Sequence, residues 1–511
     1  MPSLPGWAIC VIDAAMFTLH LGRPPRTRTL TLHPAALLAP LGLLISAGIG
    51  LMQGVTQSTV LPLALMGLAA ALLWLLLVLA KPEAALWLYT LLAVNLNSFD
   101  LPLPLGGLRV SPDIVLISLL IMGVLLRLAM RRSELALLPI TGSYLLFLAV
   151  PIITLLWSPV KVESLRGIFR FAGYFALMML VVDVVRSRQQ VQRMVAAVIL
   201  STILPITSGF YQALTGGGQT IFAGEVFNRI YGFAGGPFTL AFYLVMVTPL
   251  LLIFLLEARP RDATELQGSD NVWQFNRTGL MLLLAMILLA LVLTFIRGAW
   301  IAFVISLLIL GIARGSLRYR QLLVTIPGTA ALILLTFTPV LNRVTQVTAA
   351  DSTLYGRLAV WRLAWDWLSA SPLNFLAGLG MKAFEYYYIL LAGPTTAGLY
   401  WRRESFLIGN RPHNEILGFM LDVGLIGTVA FLVTLFLLAR LALRIYRRSP
   451  DLSLRLVALA FLVGSAGLVV GAMGDNVFSQ PAVAVYFWIM AGLVMAIDRH
   501  LMPSSAEPPR S

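Results

Sequence analysis

Apolar runs of about 20 residues, the length a helix needs to cross a hydrocarbon core of roughly 30 Å, recur along almost the whole chain. Bounded by polar, Pro or Gly residues, they predict spans at about 35–54, 60–80, 83–98, 112–130, 138–157, 166–184, 191–213, 237–257, 278–295, 298–314, 321–339, 416–440, 452–472 and 482–498. About 14 spans describe an all-α, polytopic transmembrane helical bundle, with residues 1–511 as a single transmembrane domain. The stretch 83–98 is short and contains Asn95 and Asn97; were it re-entrant, the two spans before it would reverse. One polar interval, residues 340–413, is disproportionately long. Within it, Tyr355, Leu358, Trp361, Trp365 and Leu368 recur at three- and four-residue spacing, as in an amphipathic helix lying in the membrane interface. Pro372 and Gly378-Leu379-Gly380 then end that pattern. In the 452–472 span, Gly464, Gly467 and Gly471 make a small-residue face suited to helix packing.

Composition agrees with lipid as the solvent: 59% of the 511 residues are hydrophobic and 11% are charged, more apolar surface than a water-soluble core could bury. The single cysteine, Cys10, excludes an internal disulfide and any Cys-rich metal site. The apolar stretch Trp7 to Leu19 is interrupted by Asp13 and lacks a basic region before it, so it is read as an interfacial segment and not as a secretory signal. In a soluble protein a net charge of +14 would suggest nucleic acid; here it bears first on topology, and no nucleic-acid partner is expected.

With the N-terminus inside, 23 of the 36 basic residues fall on inner segments, among them the clusters Arg127/Arg131/Arg132, Arg314/Arg318/Arg320 and Arg444/Arg447/Arg448. That bias sets the orientation: a multi-pass protein of the cytoplasmic (inner) membrane, both termini cytoplasmic, and the 340–413 loop periplasmic. The other basic residues run against the bias, and they include Arg166, Arg170, Arg229, Arg297, Arg357 and Arg411. Charges near span ends are costly without a carboxylate or a bound anion, so an anionic ligand on the outer side is expected.

Of the four histidines, only His413 falls outside, in Arg411-Pro412-His413-Asn414-Glu415, where the long loop meets the 416–440 span. A neutral imidazole there could take the proton of an attacking sugar hydroxyl, with Asn414 and Glu415 as supports; alternatively the residue caps or anchors the helix. Arg297 occupies the tight outer turn Phe295-Ile296-Arg297-Gly298. Its planar fork of donors suits a phosphate or diphosphate, while the alternative is an interfacial snorkelling side chain. Arg229, before the glycine-rich Tyr231-Gly232-Phe233-Ala234-Gly235-Gly236, follows the same logic. Arg166 and Arg170 share one helix face, which fits either a bound anion or an ion-pair network with Glu163 or Asp113. There is no Asp-x-Asp, no phosphate loop and no His/Cys cluster with zinc spacing, which disfavours a metal-dependent nucleotide-sugar enzyme and an ATP-driven pump.

Arg297-Gly298-Ala299, the Gly356-Arg357 to Trp361 and Trp365 stretch with Pro372 and Gly378-Leu379-Gly380, and His413-Asn414 followed by Gly424-Leu425-Ile426-Gly427 together resemble the O-antigen ligase and polymerase superfamily. The resemblance covers residues 225–445 by motif. The family's Ser before the motif Arg is Ile296 here. The resemblance implies a membrane glycosyltransferase of the GT-C type, without cofactor or metal, that takes a glycan from an undecaprenyl diphosphate carrier. The acceptor would be a glycan, a lipid or a protein, and membrane lipids would surround the chain. It further implies that His413 activates or positions the acceptor hydroxyl while Arg297, with Arg229 and Arg411, holds the diphosphate; Glu415 is the second candidate base. Two alternatives stand beside ligation: polymerisation of repeat units and, from another class, a lipid-linked oligosaccharide flippase. A transporter would be expected to carry charges at the midplane and two related halves, whereas these charges gather outside around one long loop.

Overall fold

In lipid an open chain can satisfy its backbone only by closing its own i→i−4 ladder, and the Leu-, Ala- and Val-rich runs do so. The computed structural model describes residues 17–19, 30–32, 60–98, 101–102, 109–110, 112–130, 138–222, 226–257, 277–315, 321, 324, 328, 353–384 and 412–502. It is that of a multi-pass helical membrane protein. The chain divides into two compact units, Met1–Ala85 with Pro102–Arg109, and Leu86–Leu101 with Val110–Ser511. Helix α1 (Val60–Ala80) belongs to the first unit, and α2 (Pro82–Leu92) begins at its edge.

The second unit contains α3 (Pro112–Ala129), α4 (Thr141–Thr154), α5 (Lys161–Val184), α6 (Arg188–Leu200), α7 (Ile203–Thr215), α8 (Pro237–Glu257), α9 (Arg277–Leu293) and α10 (Arg297–Arg314). After them come α11 (Thr353–Ser369), α12 (Pro372–Ala377), α13 (Glu415–Arg448), α14 (Leu452–Ala472) and α15 (Pro481–His500). Among the described residues, 7 helices are long and apolar enough to cross a membrane, with α6 and α7 counted as one, and shorter apolar helices accompany them. The expected span 35–54 lies outside the described residues, as does nearly all of 321–339.

Three expected spans differ in detail. The 83–98 stretch is an 11-residue helix followed by a 3-10 turn at Asn95–Ser98. Such a helix is about 16 Å long at 1.5 Å per residue, too short to cross by itself. The 191–213 span breaks between α6 and α7, where Ser201 and Thr202 turn their hydroxyls back onto the carbonyls of Val198 and Ile199. The 416–440 span is two helices joined at Gly424, whose φ of +62° and ψ of −170° interrupt the ladder.

The small-residue face of α14 explains how closely the bundle packs. A Cβ on Gly471 would lie 2.3 Å from the Phe242 ring of α8, and one on Gly467 would lie 2.2 Å from Ser306 Oγ of α10. Glycine therefore lets α14 seat against both helices. Between α4, α5, α13 and the turn before α15, Phe147, Phe171, Phe419, Phe431 and Phe478 interlock at centroid separations of 4.6–5.9 Å. Edge-to-face and tilted pairs of this kind add to the burial of the rings themselves. At the other end of the bundle, Arg127 pairs with Asp183 at 2.7 Å and Arg188 with Asp451 at 3.1 Å; Arg314 pairs with Glu257 and Arg444 with Asp498.

The described part of the long loop docks onto the break in α13. Val360, Ala364 and Leu368 of α11 share a buried cluster with Leu379, Ala383, Phe384 and Leu421. The segment 378–382 is a strap held from both sides. Leu379 N–H donates to Leu421 O at 2.7 Å and Lys382 N–H to Asp422 Oδ1 at 3.0 Å, while Trp157 Nε1 donates to Gly378 O at 3.2 Å. The buried stripe of α11 is thus aliphatic, and Leu358 and Trp365 of the expected apolar face are turned outward instead. Small aliphatic side chains fit the shallow bed beside α13, and the bulky Trp365 does not compete for it.

Candidate functional site

His413 sits one residue before the cap of α13. Asn414 has extended backbone, and its Oδ1 accepts Leu417 N–H at 3.0 Å, an N-cap that supplies an acceptor to the helix's first turn. His413 itself has φ +49°, a left-handed conformation that is strained for a residue with a Cβ. Its neighbours fix it there. The Pro412 carbonyl accepts Trp361 Nε1 at 2.6 Å, which ties the loop helix α11 to the residue before the histidine. Phe238, at the start of α8, places its ring 6.4 Å from the imidazole.

The imidazole Nδ1 faces Asp475 Oδ1 at 3.4 Å, both side chains being nearly buried. Asp475 lies just past α14, and its Oδ1 also accepts the N–H of Asn476 at 2.7 Å. Its other oxygen, Oδ2, is buried and has no hydrogen-bond partner among the described residues. Arg357, near the start of α11, brings the compensating charge: burial lowers the pKa of its guanidinium, and Asp475 opposes that shift. A Cβ on Gly474 would stand 3.7 Å from Arg357 Nη1, so the guanidinium lies against the turn that carries the carboxylate.

Arg297 is the first residue of α10, and the charge of Arg357 acts on it by repulsion. The turn that presents it is tightly built. Phe295 has φ +53° and packs with Val292, Leu293 and Trp300, while Trp300 Nε1 closes the turn on Leu291 O at 2.9 Å. Ile296 gives α10 no side-chain cap, which leaves the positive end of the helix to be met otherwise. Gly298 is exposed beside it.

Arg229 is buried at the end of a hairpin formed by Gln219–Phe222 and Val226–Arg229. The next residue, Ile230, donates its N–H to Leu293 O at 3.2 Å, so the hairpin leans on the turn that leads to Arg297. Gln212 holds the glycine-rich segment that follows, accepting from the N–H groups of Tyr231 and Gly232 at 3.0 and 2.9 Å. Gly232, with φ +54°, is required there: a Cβ would lie 2.0 Å from Pro205 O.

The remaining expected residues divide. Arg166 forms an exposed ion pair with Glu163 at 2.6 Å, the network alternative of the sequence reading. Arg170, half-buried, is one turn further along α5. Between them Gly167 abuts Met381, so this face borders the 378–382 strap. Glu415 is buried, its carboxylate accepting from Phe478 and Ser479. Arg411 lies outside the described residues.

The residue that the sequence reading missed is Asp475. An acidic residue in the turn between the last two spans, on the side assigned to His413, is the signal that points to it. Thus His413, Asp475, Arg357 and Arg297 are linked from separate segments: a ring nitrogen faces a carboxylate, that carboxylate acts on the Arg357 guanidinium, and Arg357 acts in turn on Arg297. This arrangement can take up a proton and bind a ligand with more than one negative charge. Among the described residues no group of three His, Cys, Asp or Glu side chains could hold a metal ion.

Residues 281–432 match the family described as O-antigen ligase. The match runs from α9 into α13 and takes in Arg297, Arg357 and His413. No curated protein matches the chain.

Proposed function

We propose, from the match of residues 281–432 to the O-antigen ligase family, that the chain is a ligase- or polymerase-like membrane glycosyltransferase that moves a glycan from an undecaprenyl diphosphate carrier to an acceptor hydroxyl at the periplasmic face of the cytoplasmic membrane. The observation that carries this reading is the convergence of His413 and Asp475 with Arg357 and Arg297. With Nδ1–H directed at Asp475, Nε2 is the nitrogen that takes the acceptor proton as the hydroxyl oxygen attacks the anomeric carbon. The bond from that carbon to the carrier's phosphate oxygen breaks, and its electron pair leaves with the diphosphate. The leaving group is already a good one, so the larger need is to stabilise its growing charge. Arg297 at the start of α10, with Arg229 behind the same turn and Arg411, meets that need; a polyanion also relieves the repulsion between Arg297 and Arg357. The scheme uses no metal ion and no nucleotide sugar.

The test is transfer by the purified protein in proteoliposomes, with undecaprenyl diphosphate glycan and candidate glycan, lipid and protein acceptors. His413→Ala is expected to lower kcat by about 10²- to 10⁴-fold, the usual worth of general-base catalysis. Arg297→Ala is expected to cost about 10²- to 10³-fold, as for loss of one charge-stabilising donor. Full transfer by both variants would overturn the reading. Activity undiminished in EDTA is the expected companion result.

A further inference from the structure

Glu415 follows His413 by two residues, yet its carboxylate is turned away from the imidazole and into the protein, where the residue is only 2% exposed. A carboxylate in such a place is costly unless donors meet it. Here Oε2 accepts the N–H of Phe478 at 2.8 Å and that of Ser479 at 3.4 Å, and Oε1 accepts the Ser479 hydroxyl. All three donors belong to the segment that follows Asp475 and leads into α15. The other end of that segment is held by the residue between His413 and Glu415: Asn414 Nδ2 donates to Met473 O at 3.2 Å. Gly418, one turn into α13, admits the segment's middle, since a Cβ there would stand 2.9 Å from Asn476 Nδ2. Residues 473–479 are therefore gripped at both ends by the two residues that follow the histidine, with Asp475 carried between the grips.

We propose that Glu415 is a positioning residue that sets the reach of Asp475 to His413 Nδ1 and Arg357, and that it does not itself exchange protons with substrate. The inference rests on the site reading given above. A base must reach its proton, and this carboxylate is buried under three donors from one turn. What it controls is the height of that turn over the imidazole, where a shift of about 1 Å is enough to cost up to about 10²-fold in rate.

The experiment uses the full-length protein in the proteoliposome transfer assay. Glu415→Gln keeps the side chain's volume but sets an amide NH₂ against one of the donors. It is expected to lower kcat roughly 10- to 100-fold, with KM for the lipid-linked donor changed by less than about 2-fold. Ser479→Ala, which removes one donor and leaves Glu415 and α13 intact, should lower kcat in the same direction by less. Because the effect acts through Asp475, both losses should shrink to within about 2-fold in an Asp475→Asn background, where residues acting as one unit are not additive. Should Glu415→Gln fail to fold, Ser479→Ala with and without Asp475→Asn decides alone. Undiminished losses in the Asp475→Asn background overturn the proposal, as does wild-type kcat in Glu415→Gln and Ser479→Ala. If His413→Ala is fully active the site reading itself falls; if His413→Ala is inactive while Glu415→Gln is silent, only the present inference does.

Discussion

At the residue scale the proposed chemistry turns on two single charges, those of Asp475 and Arg357. Removing the Asp475 charge while keeping its shape leaves His413 without the charged acceptor that favours one tautomer and leaves the buried Arg357 without its compensating carboxylate. Asp475→Asn is therefore expected to reduce kcat by up to about 10²-fold, a share of the whole general-base contribution, with the thermal transition nearly unchanged. Arg357→Met should show the opposite split, chiefly a higher KM for the lipid-linked donor, since it removes charge that would attract the proposed diphosphate without removing the imidazole. Steady-state transfer kinetics separate the two outcomes; equal falls in kcat for both variants, with KM unchanged, would make Arg357 part of the proton-handling group instead. His413 and Arg297 were legible in the sequence because each is the unusual residue of its turn: a lone outer histidine after Pro412, and an arginine at a span boundary. Asp475 was not, because its significance depends on which other span ends lie beside it, and hydropathy does not carry that information.

Among the elements, the break in α13 decides where the loop can dock. Gly424 and Gly378, at φ +62° and +84°, bring two backbones together: a Cβ on Gly378 would lie 2.6 Å from Gly424 N, and one on Gly424 would lie 2.4 Å from Leu376 C and O. Left-handed backbone costs a Cβ-bearing residue about 1–2 kcal/mol, and overpacking adds about 1–3 kcal/mol. Gly424→Ala should therefore undock the strap and α12, lowering thermal stability and transfer together, whereas Gly315→Ala, left-handed too but with no atom within 4 Å of the added Cβ, should cost stability alone. Thermal unfolding in detergent beside the transfer assay tests this, and a Gly424→Ala protein with wild-type activity would show that the docking is dispensable. The sequence marked Gly378, Gly380 and Gly424 as parts of a pattern, but the apolar run continues through Gly424, so periodicity predicted one uninterrupted span. The face of α11 was obscured for a related reason: two apolar stripes run along that helix, and only the bed offered by α12 and α13 decides which is buried.

For the whole molecule, the placing of exposed and paired arginines at the two ends of the bundle gives an expected orientation that can be tested. At one end Arg127, Arg188, Arg314 and Arg444 each meet a carboxylate from another helix, and Arg447 and Arg448 stand exposed beyond them. At the other, the buried Arg357 is met by the carboxylate of Asp475, and its charge in turn repels that of Arg297. The positive-inside bias assigns exposed arginines at span ends to the cytoplasm, and on that expectation the proposed site would face the periplasm, where a lipid-linked glycan would present its sugar. The chain suits a direct test because Cys10 is its only cysteine. In a Cys10→Ser background, Ser369→Cys at the exposed end of α11 should react with a membrane-impermeant maleimide in intact spheroplasts. Gln189→Cys, exposed at the start of α6, should react only after permeabilisation. The reverse pattern would put His413 on the cytoplasmic side, and the proposed reaction would then have to draw on a carrier whose glycan has not yet crossed the membrane.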